Sequence, residues 1–326
     1  MAMDNRSLDL ERSAQSGSTG AMLQLGRDLL VGANGRQDVA AALDWLGRAG
    51  RAGEASAVEL LATATAVGVA QPPDWPAALN LLLEAAERGS MRAQGQLKVL
   101  SGAPTEPSWR GLRDAIDLSG WACVPEREKL CDAPRVRLAK AFASPAICDW
   151  IVSRAKGRLR EGLMYDPSTK LEQVDPHRTC SDYQFDILNA DLIVQLVRER
   201  IAAATGLPTV AMEPPRIFHY AVGQQIKAHY DRVSDGYDAY GATEYRGDRI
   251  VTFLLYLNDG YEGGELSFPK ADFACKGAKG DGVYFAHIGP DAKPDPLSLH
   301  AGLEIRSGEK WVMSQWIHDR PFGAAA

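Results

Sequence analysis

Small and apolar residues recur along the first part of the chain with a period of thirty-six residues (57 minus 21). The matching positions are Ala21, Ala57 and Ala93, Leu25, Leu61 and Leu97, Asp38 and Asp74, Leu46 and Leu82, and Ala49 and Ala85. A period of this length is typical of stacked helical hairpins, each of which buries its apolar face against the next. Because glycine tolerates the backbone angles of tight turns, chain reversals are expected at Gly32, Gly53, Gly68 and Gly89. The pattern predicts a helical solenoid over residues 17–102.

The hydrophobic pattern changes twice after these repeats. Residues 103–134 contain Pro, Gly and Trp and lose helical periodicity, which is typical of a linker. Ser144 and Pro145 then predict a helix start, because serine caps a helix and proline fits its first turn. Beyond Pro215, short runs rich in Val, Ile, Phe and Tyr alternate with Gly, Asp and Asn. These runs predict the antiparallel strands of a barrel or jelly roll.

The two patterns together predict an α+β chain with two domains. At 326 residues the chain is long enough for two apolar cores. We expect a flexible N-terminus at residues 1–16, an α-helical repeat solenoid, a linker, and a second domain at residues 135–326. The second domain is predicted to be a double-stranded β-helix (jelly roll) with flanking helices.

Charge and cysteine content narrow the class of protein. A net charge of -6 disfavours nucleic acid and anionic membranes as partners. The five cysteines contain no C-x-x-C pair, and their odd number is unlike a complete disulfide framework, so reduced thiols are expected. No stretch reaches the roughly 18 apolar residues of a membrane span, and the opening residues lack a signal-peptide core. A cytoplasmic location is therefore expected.

A candidate metal site lies in the segment QQIKAHYDRVSDG. His229 and Asp231 are two positions apart, so on an extended strand their side chains leave the same face of the backbone. His300, seventy-one residues later (300 minus 229), offers a third ligand. Two histidines and one carboxylate on one face leave open positions for co-substrate and O2, an arrangement typical of non-haem Fe(II) oxygenases.

A lysine follows the third candidate ligand by ten positions. Lys310 begins the run KWVMSQWIH, in which strand alternation places Lys310, Val312, Ser314 and Trp316 on one face. An ammonium group that projects among apolar neighbours requires an anion. A dicarboxylate co-substrate would supply that anion.

Longer stretches resemble the prolyl 4-hydroxylase branch of the 2-oxoglutarate/iron oxygenases over residues of about 134–322. The resemblance lies in ASPAICDWIVSRA, RTCSDYQF, RIFHYAVGQQIKAHYD, RIVTFLLYLNDGYEGGELSFP, GDGVYFAH and SLHAGLEIRSGEKWVMSQWIH. The N-terminal segment AMLQLGRDLLVGANGRQDVAAALDWLGRAG resembles tetratricopeptide-like repeats of the Sel-one type. The first resemblance implies Fe(II), the co-substrates 2-oxoglutarate and O2, and ascorbate as a candidate auxiliary reductant.

The resemblance also implies roles for individual residues. His229, Asp231 and His300 correspond to the iron ligands, and Lys310 to the residue that pairs with the distal carboxylate of 2-oxoglutarate. Further pocket residues are Tyr220, Thr252 and Trp316. Arg178 resembles a substrate-side arginine, but the family pattern Arg-Thr-Ser-Ser-Gly is replaced here by RTCSD, which leaves its substrate contact open.

The favoured function is a dioxygenase that hydroxylates an unactivated C–H bond of a prolyl residue in a peptide or protein, presented partly by the repeats. The alternatives are a hydroxylase of a free amino or imino acid, a small-molecule substrate, and a repeat-based adaptor without catalysis. Tyr237 and Tyr240, in the segment GYDAYGATEYRGD, are predicted to belong to a substrate lid. The remaining histidines, His177, His219, His287 and His318, are interpreted as structural.

Overall fold

Helices account for the first third of the chain and antiparallel strands for most of the remainder. The computed structural model describes residues 5–33, 35, 37–103, 105, 107–123, 126–166, 171–174, 178–232 and 247–322. The chain divides into two units, one formed by residues 1–121 with 187–197 and the other by 122–186 with 198–326.

The described helices are short, and most of them lie in the first unit. In chain order they are α1 (Asn5–Gln15), α2 (Thr19–Val31), α3 (Val39–Arg51), α4 (Ala55–Val67), α5 (Trp75–Glu87), α6 (Met91–Ser101), α7 (Trp109–Asp114), α8 (Leu118–Ala122), α9 (Pro145–Ala155) and α10 (Leu192–Thr205). Among the described residues, no helix has both the length and the apolar character that crossing a bilayer requires.

The thirty-six-residue period corresponds to repeated helix ends. Asp38 and Asp74 cap α3 and α5, and each carboxylate accepts a hydrogen bond from a backbone N–H of the first turn. Gly32 and Gly68 end α2 and α4 in the left-handed conformation, which relieves strain because glycine has no Cβ atom. The alanines that recur in the sequence, such as Ala57, are buried where the helices pack. The predicted helical repeats are confirmed.

The first helix corrects the expected flexible N-terminus at residues 1–16. Residues Asn5–Gln15 form α1, and Ala14 is fully buried in a core that also contains Leu25 and Leu46. Ile187 and Leu188, from the distant segment 187–197, pack against the same core. The first unit therefore includes residues far along the chain, which the local sequence pattern does not reveal.

A buried polar network lies inside this unit. The carboxylate of Glu59 accepts hydrogen bonds from Ser90 over 2.9 Å and from the amide of Gln96 over 2.8 Å, and it forms an ion pair with Arg92. The amide oxygen of Gln96 accepts a hydrogen bond from the backbone N–H of Leu192 over 2.9 Å. The network thus joins two repeats to the first residue of α10.

The region expected to be a linker, residues 103–134, contains regular elements. It holds α7 and α8 and an edge strand, Arg127–Cys131, which pairs with Val136–Ala139. The strand is mostly exposed and α7 buries only Leu112, so neither element has the apolar periodicity that a sequence pattern requires. The second domain therefore begins before the predicted residue 135.

The second unit is built on antiparallel strands. In chain order the strands are β1 (Arg127–Cys131), β2 (Val136–Ala139), β3 (Arg160–Glu161), β4 (Leu163–Asp166), β5 (Leu171–Val174), β6 (Ser181–Gln184), β7 (Arg216–Tyr220), β8 (Ile226–His229), β9 (Arg249–Tyr256), β10 (Glu262–Gly263), β11 (Leu266–Phe268), β12 (Phe273–Cys275), β13 (Gly282–Ala286), β14 (His300–Gly302), β15 (Ile305–Ser307) and β16 (Lys310–His318).

Two sheets of different size dominate this unit. The larger has the order β1-β2-β13-β9-β16-β7-β6-β3, and the smaller has the order β12-β11-β14-β8. One apolar core holds Leu266 and Phe268 of the smaller sheet together with Tyr256, Val283 and Phe285 of the larger. The two sheets therefore pack against each other, and the predicted α+β class, helical repeats followed by a domain of antiparallel sheets, is confirmed.

Candidate metal and co-substrate site

Three predicted ligands meet at the ends of strands in the smaller sheet. His229 on β8 and His300 on β14 are direct partners in the antiparallel register, and their ring centroids are 4.4 Å apart. Asp231 follows β8. Its Oδ1 lies 3.4 Å from Nε2 of His229, and its Oδ2 lies 3.5 Å from Nε2 of His300. One donor atom from each residue lies within 4.8 Å of the others. A single metal ion fits this spacing.

Both imidazoles are oriented by backbone carbonyl groups. Nδ1 of His229 lies 2.8 Å from the carbonyl oxygen of Lys227, and Nδ1 of His300 lies 3.0 Å from that of Ser298. Since a carbonyl only accepts, each Nδ1 carries a proton, which leaves Nε2 as the ring atom that can bind a metal. Hydrogen bonds from the other ring nitrogen to a carbonyl commonly fix the orientation of metal-bound histidines. The donor set therefore fits an Fe(II) ion.

Charge states at the site favour metal binding. Burial by itself raises the pKa of Asp231, but His300 and His229 outweigh it and hold that pKa well below its usual range. Burial lowers the pKa of His300 to about 4, although Asp231 opposes the shift. At neutral pH the site therefore holds an ionised carboxylate beside a neutral imidazole, which are the forms that bind a metal.

Thr252 supports the carboxylate, a role more specific than the predicted pocket lining. Its hydroxyl donates a hydrogen bond to Oδ2 of Asp231 over 2.5 Å, and its oxygen lies 2.7 Å from Nε2 of His287. The hydroxyl proton is used on Asp231, so His287 donates to Thr252. His287, interpreted from the sequence as structural, thus supports Asp231 through Thr252. No local motif marks it, because it follows β13 on the other sheet.

Lys310 lies buried in the same unit, with 4% of its surface exposed. Its ammonium donates to the carbonyl oxygen of Gly264 over 2.7 Å and lies 5.4 Å from the ring centres of Tyr220 and Tyr256. Burial, together with the charge of Lys276, lowers the pKa of Lys310 to about 8. Among the described residues Lys310 forms no ion pair, so the site fits the carboxylate of a co-substrate.

Aromatic residues lie on the same face of the larger sheet as this ammonium group. Tyr220 is the register partner of Lys310, and Trp316 is the register partner of Thr252. Both rings belong to one apolar cluster that also contains Val312. The structure therefore brings together the predicted pocket residues on one face of the larger sheet.

Arg178 contacts Cys180 and Asp182, the two residues at which this sequence departs from the family pattern. Its guanidinium forms an ion pair with Asp182, contacts the thiol of Cys180 and lies 4.5 Å from the ring centre of Phe218. Asp182 also accepts a hydrogen bond from Nη1 of Arg216 over 3.1 Å. No sequence motif identifies Arg216, since only the pairing of β6 with β7 brings it to Asp182.

Some predicted residues take no part in this site, and others lie outside the described residues. Tyr237, Tyr240 and the predicted lid are outside them, as is His177. His219 pairs with Glu309, and His318 pairs with buried Glu213. Both of these histidines have the structural environment that was predicted from the sequence.

Comparisons with known proteins agree with this geometry. Residues 215–318 match the model of the 2OG-Fe(II) oxygenase superfamily. A probable prolyl 4-hydroxylase 6 of Arabidopsis thaliana is 34% identical over 208 residues, which cover 58% of this chain and 71% of the relative. Prolyl 4-hydroxylase 1 of the same plant is 31% identical over 243 residues, or 66% of this chain and 84% of the relative.

A solved structure of the viral collagen prolyl hydroxylase of Paramecium Bursaria Chlorella virus-1, in complex with 2OG, is 25% identical. It covers 58% of this chain and 98% of its own, with a TM-score of 0.44. On the family match and the Arabidopsis relatives, the chain belongs to the 2OG-Fe(II) oxygenase superfamily, among relatives of the prolyl 4-hydroxylases. It is a dioxygenase that depends on 2-oxoglutarate, Fe(II) and O2.

Proposed function

We propose that this chain hydroxylates a prolyl residue of a peptide or protein, in a pocket between the two sheets of a jelly roll. The observation that carries the proposal is the convergence of His229, Asp231 and His300 in the unit that also buries Lys310. The prolyl substrate class is supported by the sequence identity to prolyl 4-hydroxylases.

His229 and His300 would each hold the iron through Nε2, and Asp231 would hold it through a carboxylate oxygen. When bound, Fe(II) with 2-oxoglutarate and O2 supplies the oxidation of an unactivated C–H bond. Thr252 keeps the Asp231 carboxylate in one orientation, and the carbonyls of Lys227 and Ser298 keep the imidazoles in one tautomer. These contacts hold the ligands in place before the metal binds.

Lys310 would bind the distal carboxylate of 2-oxoglutarate. Its ammonium is at the start of β16, among apolar neighbours, where a charge–charge contact is weakly screened. The buried rings of Tyr220 and Tyr256, whose centres lie 5.4 Å from this ammonium, would exclude water from it.

The proposal is tested by incubating the Fe(II)-loaded protein with 2-oxoglutarate, O2 and prolyl peptides. Succinate should form, and the peptide should gain one oxygen atom. Turnover should be lost in His300→Ala and kept in His219→Ala, which removes a histidine that pairs with Glu309 instead. If the loaded wild type forms no succinate with peptides or free amino acids, the inactive adaptor becomes the better description.

The repeats are proposed to contact a polypeptide substrate. Met91, which begins α6, is 85% exposed and offers an apolar contact. Met91→Glu should therefore raise the KM for a long polypeptide and leave that for a minimal peptide unchanged. If wild type and Met91→Glu have equal KM values for the long substrate, the exposed side chain of Met91 does not contact it.

Two further properties are proposed for the protein in the cell. The five cysteines are all unpaired, which supports a reducing compartment such as the cytoplasm. Ascorbate is proposed to sustain turnover, and omitting it from a long assay should shorten the linear phase.

A further inference from the structure

Two arginines share one carboxylate beside the proposed pocket. Asp182 forms an ion pair with Arg178 and with Arg216, whose Nη1 lies 3.1 Å from Oδ2 of the carboxylate. The three side chains, here called the Arg–Asp–Arg cluster, are partly open to solvent, with 19%, 13% and 18% exposed for Arg178, Asp182 and Arg216. A ligand can therefore reach them.

Strand register places this cluster on the co-substrate face of the larger sheet. Arg216 is the partner of Ser314, and Asp182 is the partner of Phe218. Because alternate residues share a face, Ser314 lies on the same side as Lys310 and Trp316. Arg216 and Asp182 therefore belong to the face that carries Lys310.

Contacts on this face connect the Arg–Asp–Arg cluster to the proposed metal ligand Asp231. Arg178 lies over the ring of Phe218, and Arg216 lies 6.0 Å from the ring centre of Trp316. Trp316 pairs with Thr252, whose hydroxyl bonds to Asp231. The cluster is thus a neighbour of the reaction site rather than a remote surface feature.

The charge of the cluster is unbalanced. Two guanidinium groups and one carboxylate leave a net charge of about +1. This charge lies against the rings of Phe218 and Trp316, where it is poorly solvated. The buried Nε atoms of Arg178 and Arg216 have no hydrogen-bond partner among the described residues. Asp182 holds the two guanidinium groups together, the amide oxygen of Gln184 accepts a hydrogen bond from Nη2 of Arg216, and one more anion would balance the remaining positive charge.

We propose that the Arg–Asp–Arg cluster is a subsite for a carboxylate of the substrate. The proposal rests on the proposed function and specifies its substrate class as prolyl compounds that carry a carboxylate near the ring to be hydroxylated. That carboxylate has two chemical sources, the side chain of an acidic residue beside the proline and the α-carboxylate of a terminal or free proline. The chemistry of recognition, a charge-assisted hydrogen bond to guanidinium, is the same for both.

The experiment compares matched substrates that differ only in this charge. One pair of peptides carries Asp or Asn beside the proline, and a second pair ends in proline as the free acid or the amide. Affinity for the protein loaded with Mn(II) and 2-oxoglutarate is measured anaerobically by calorimetry, and kcat/KM is measured in air with Fe(II). In at least one pair the acid should be preferred by about tenfold or more, as expected for a charge-assisted hydrogen bond.

Variants assign the preference to the cluster. Arg216→Gln should reduce the acid-to-amide ratio to about twofold or less, and Arg216→Lys should keep part of it because the charge remains. Arg110→Gln, which removes an exposed guanidinium from α7, should leave the ratio unchanged. The pair that shows the preference identifies the source of the carboxylate.

Two results would overturn the proposal. One is equal binding and turnover of acid and amide in both pairs, and the other is a preference that survives unchanged in Arg216→Gln. If the acid binds preferentially but no substrate is turned over, the subsite stands and the proposed function fails. If all four peptides are turned over without discrimination, the proposed function stands and the subsite fails.

Discussion

The hydroxyl of Thr252 donates its proton to Oδ2 of Asp231 across 2.5 Å, so a threonine of the larger sheet orients a predicted ligand that follows the smaller one. Groups that hydrogen-bond to a metal ligand commonly contribute about 10- to 100-fold to metal affinity. We predict that Thr252→Val weakens Fe(II) binding by about that factor, because valine cannot donate a hydrogen bond to Asp231. The substitution also leaves Nε2 of His287 without its acceptor.

Thr252→Ser is the matched control, because serine keeps the hydroxyl. Anaerobic calorimetric titration with Fe(II) should give an affinity close to wild type for the serine variant, and circular dichroism should be the same for both variants. An unchanged Fe(II) affinity in Thr252→Val would mean that Asp231 is held by its other neighbours.

Lys310 should control the affinity for 2-oxoglutarate and not that for iron. Breaking a buried charge pair costs about 3–5 kcal/mol, which is about two to four powers of ten in Kd. Lys310→Ala should show this loss, and Lys310→Arg should be intermediate because guanidinium keeps the charge but needs a planar partner. The Kd is measured anaerobically with Mn(II) bound.

The neighbouring Lys276 supplies a control for that measurement. Its ammonium lies 3.7 Å from the ring centre of Tyr261 and donates to the backbone carbonyl of the same residue. Lys276→Ala should change the 2-oxoglutarate Kd much less than Lys310→Ala. If Lys310→Ala changes the 2-oxoglutarate Kd by less than about threefold, another cation, such as Arg249 or Arg306, binds the co-substrate.

Glu213 should make the stability of the protein depend on acid pH. Burial by itself raises its pKa, but Arg249 and His318 outweigh burial and lower that pKa to about 2, from 4.5. A depressed pKa means that the contribution is complete above pH 4.5 and is lost as the pH falls towards 2. The expected contribution at neutral pH is on the order of 3 kcal/mol.

Glu213→Gln keeps the shape of the side chain and removes its charge. Urea unfolding should show a large loss of stability at pH 7, and the difference from wild type should shrink below pH 4.5 as Glu213 of the wild type becomes protonated. A difference that is constant between pH 7 and pH 3 would assign the loss to packing rather than to charge.

The repeat unit should depend on the buried amide of Gln96. In Gln96→Ala, the carboxylate of Glu59 loses one donor and the backbone N–H of Leu192 loses its acceptor. Each buried polar group left unsatisfied costs about 1–3 kcal/mol, so unfolding in urea should begin at a clearly lower concentration. Gln94→Ala, on the same helix α6 as Gln96, removes only a bond to the carbonyl of Ala86 on α5 and should have the smaller effect. The reverse order would show that the network is not a major source of stability.

Local sequence patterns determined much of this protein. The thirty-six-residue period predicted the repeats because each hairpin must present the same small residues to its neighbours, and Gly32 and Gly68 end helices where reversals were expected. Strand alternation predicted the shared face of Lys310 and Trp316, because the side-chain period of a strand is two. The metal-binding residue types were recognisable because His229 and Asp231 are near neighbours in the chain.

Only the tertiary structure decided which distant residues meet. The pairing of β6 with β7 brings Arg216 to Asp182, and the packing of the two sheets brings His287 and Thr252 to Asp231. Segment 187–197 joins the repeat unit although it lies beyond the expected boundary. Such contacts depend on strand register and on the packing of sheets, which no periodicity within a short window encodes, and they set the charges and orientations on which the chemistry of the site depends.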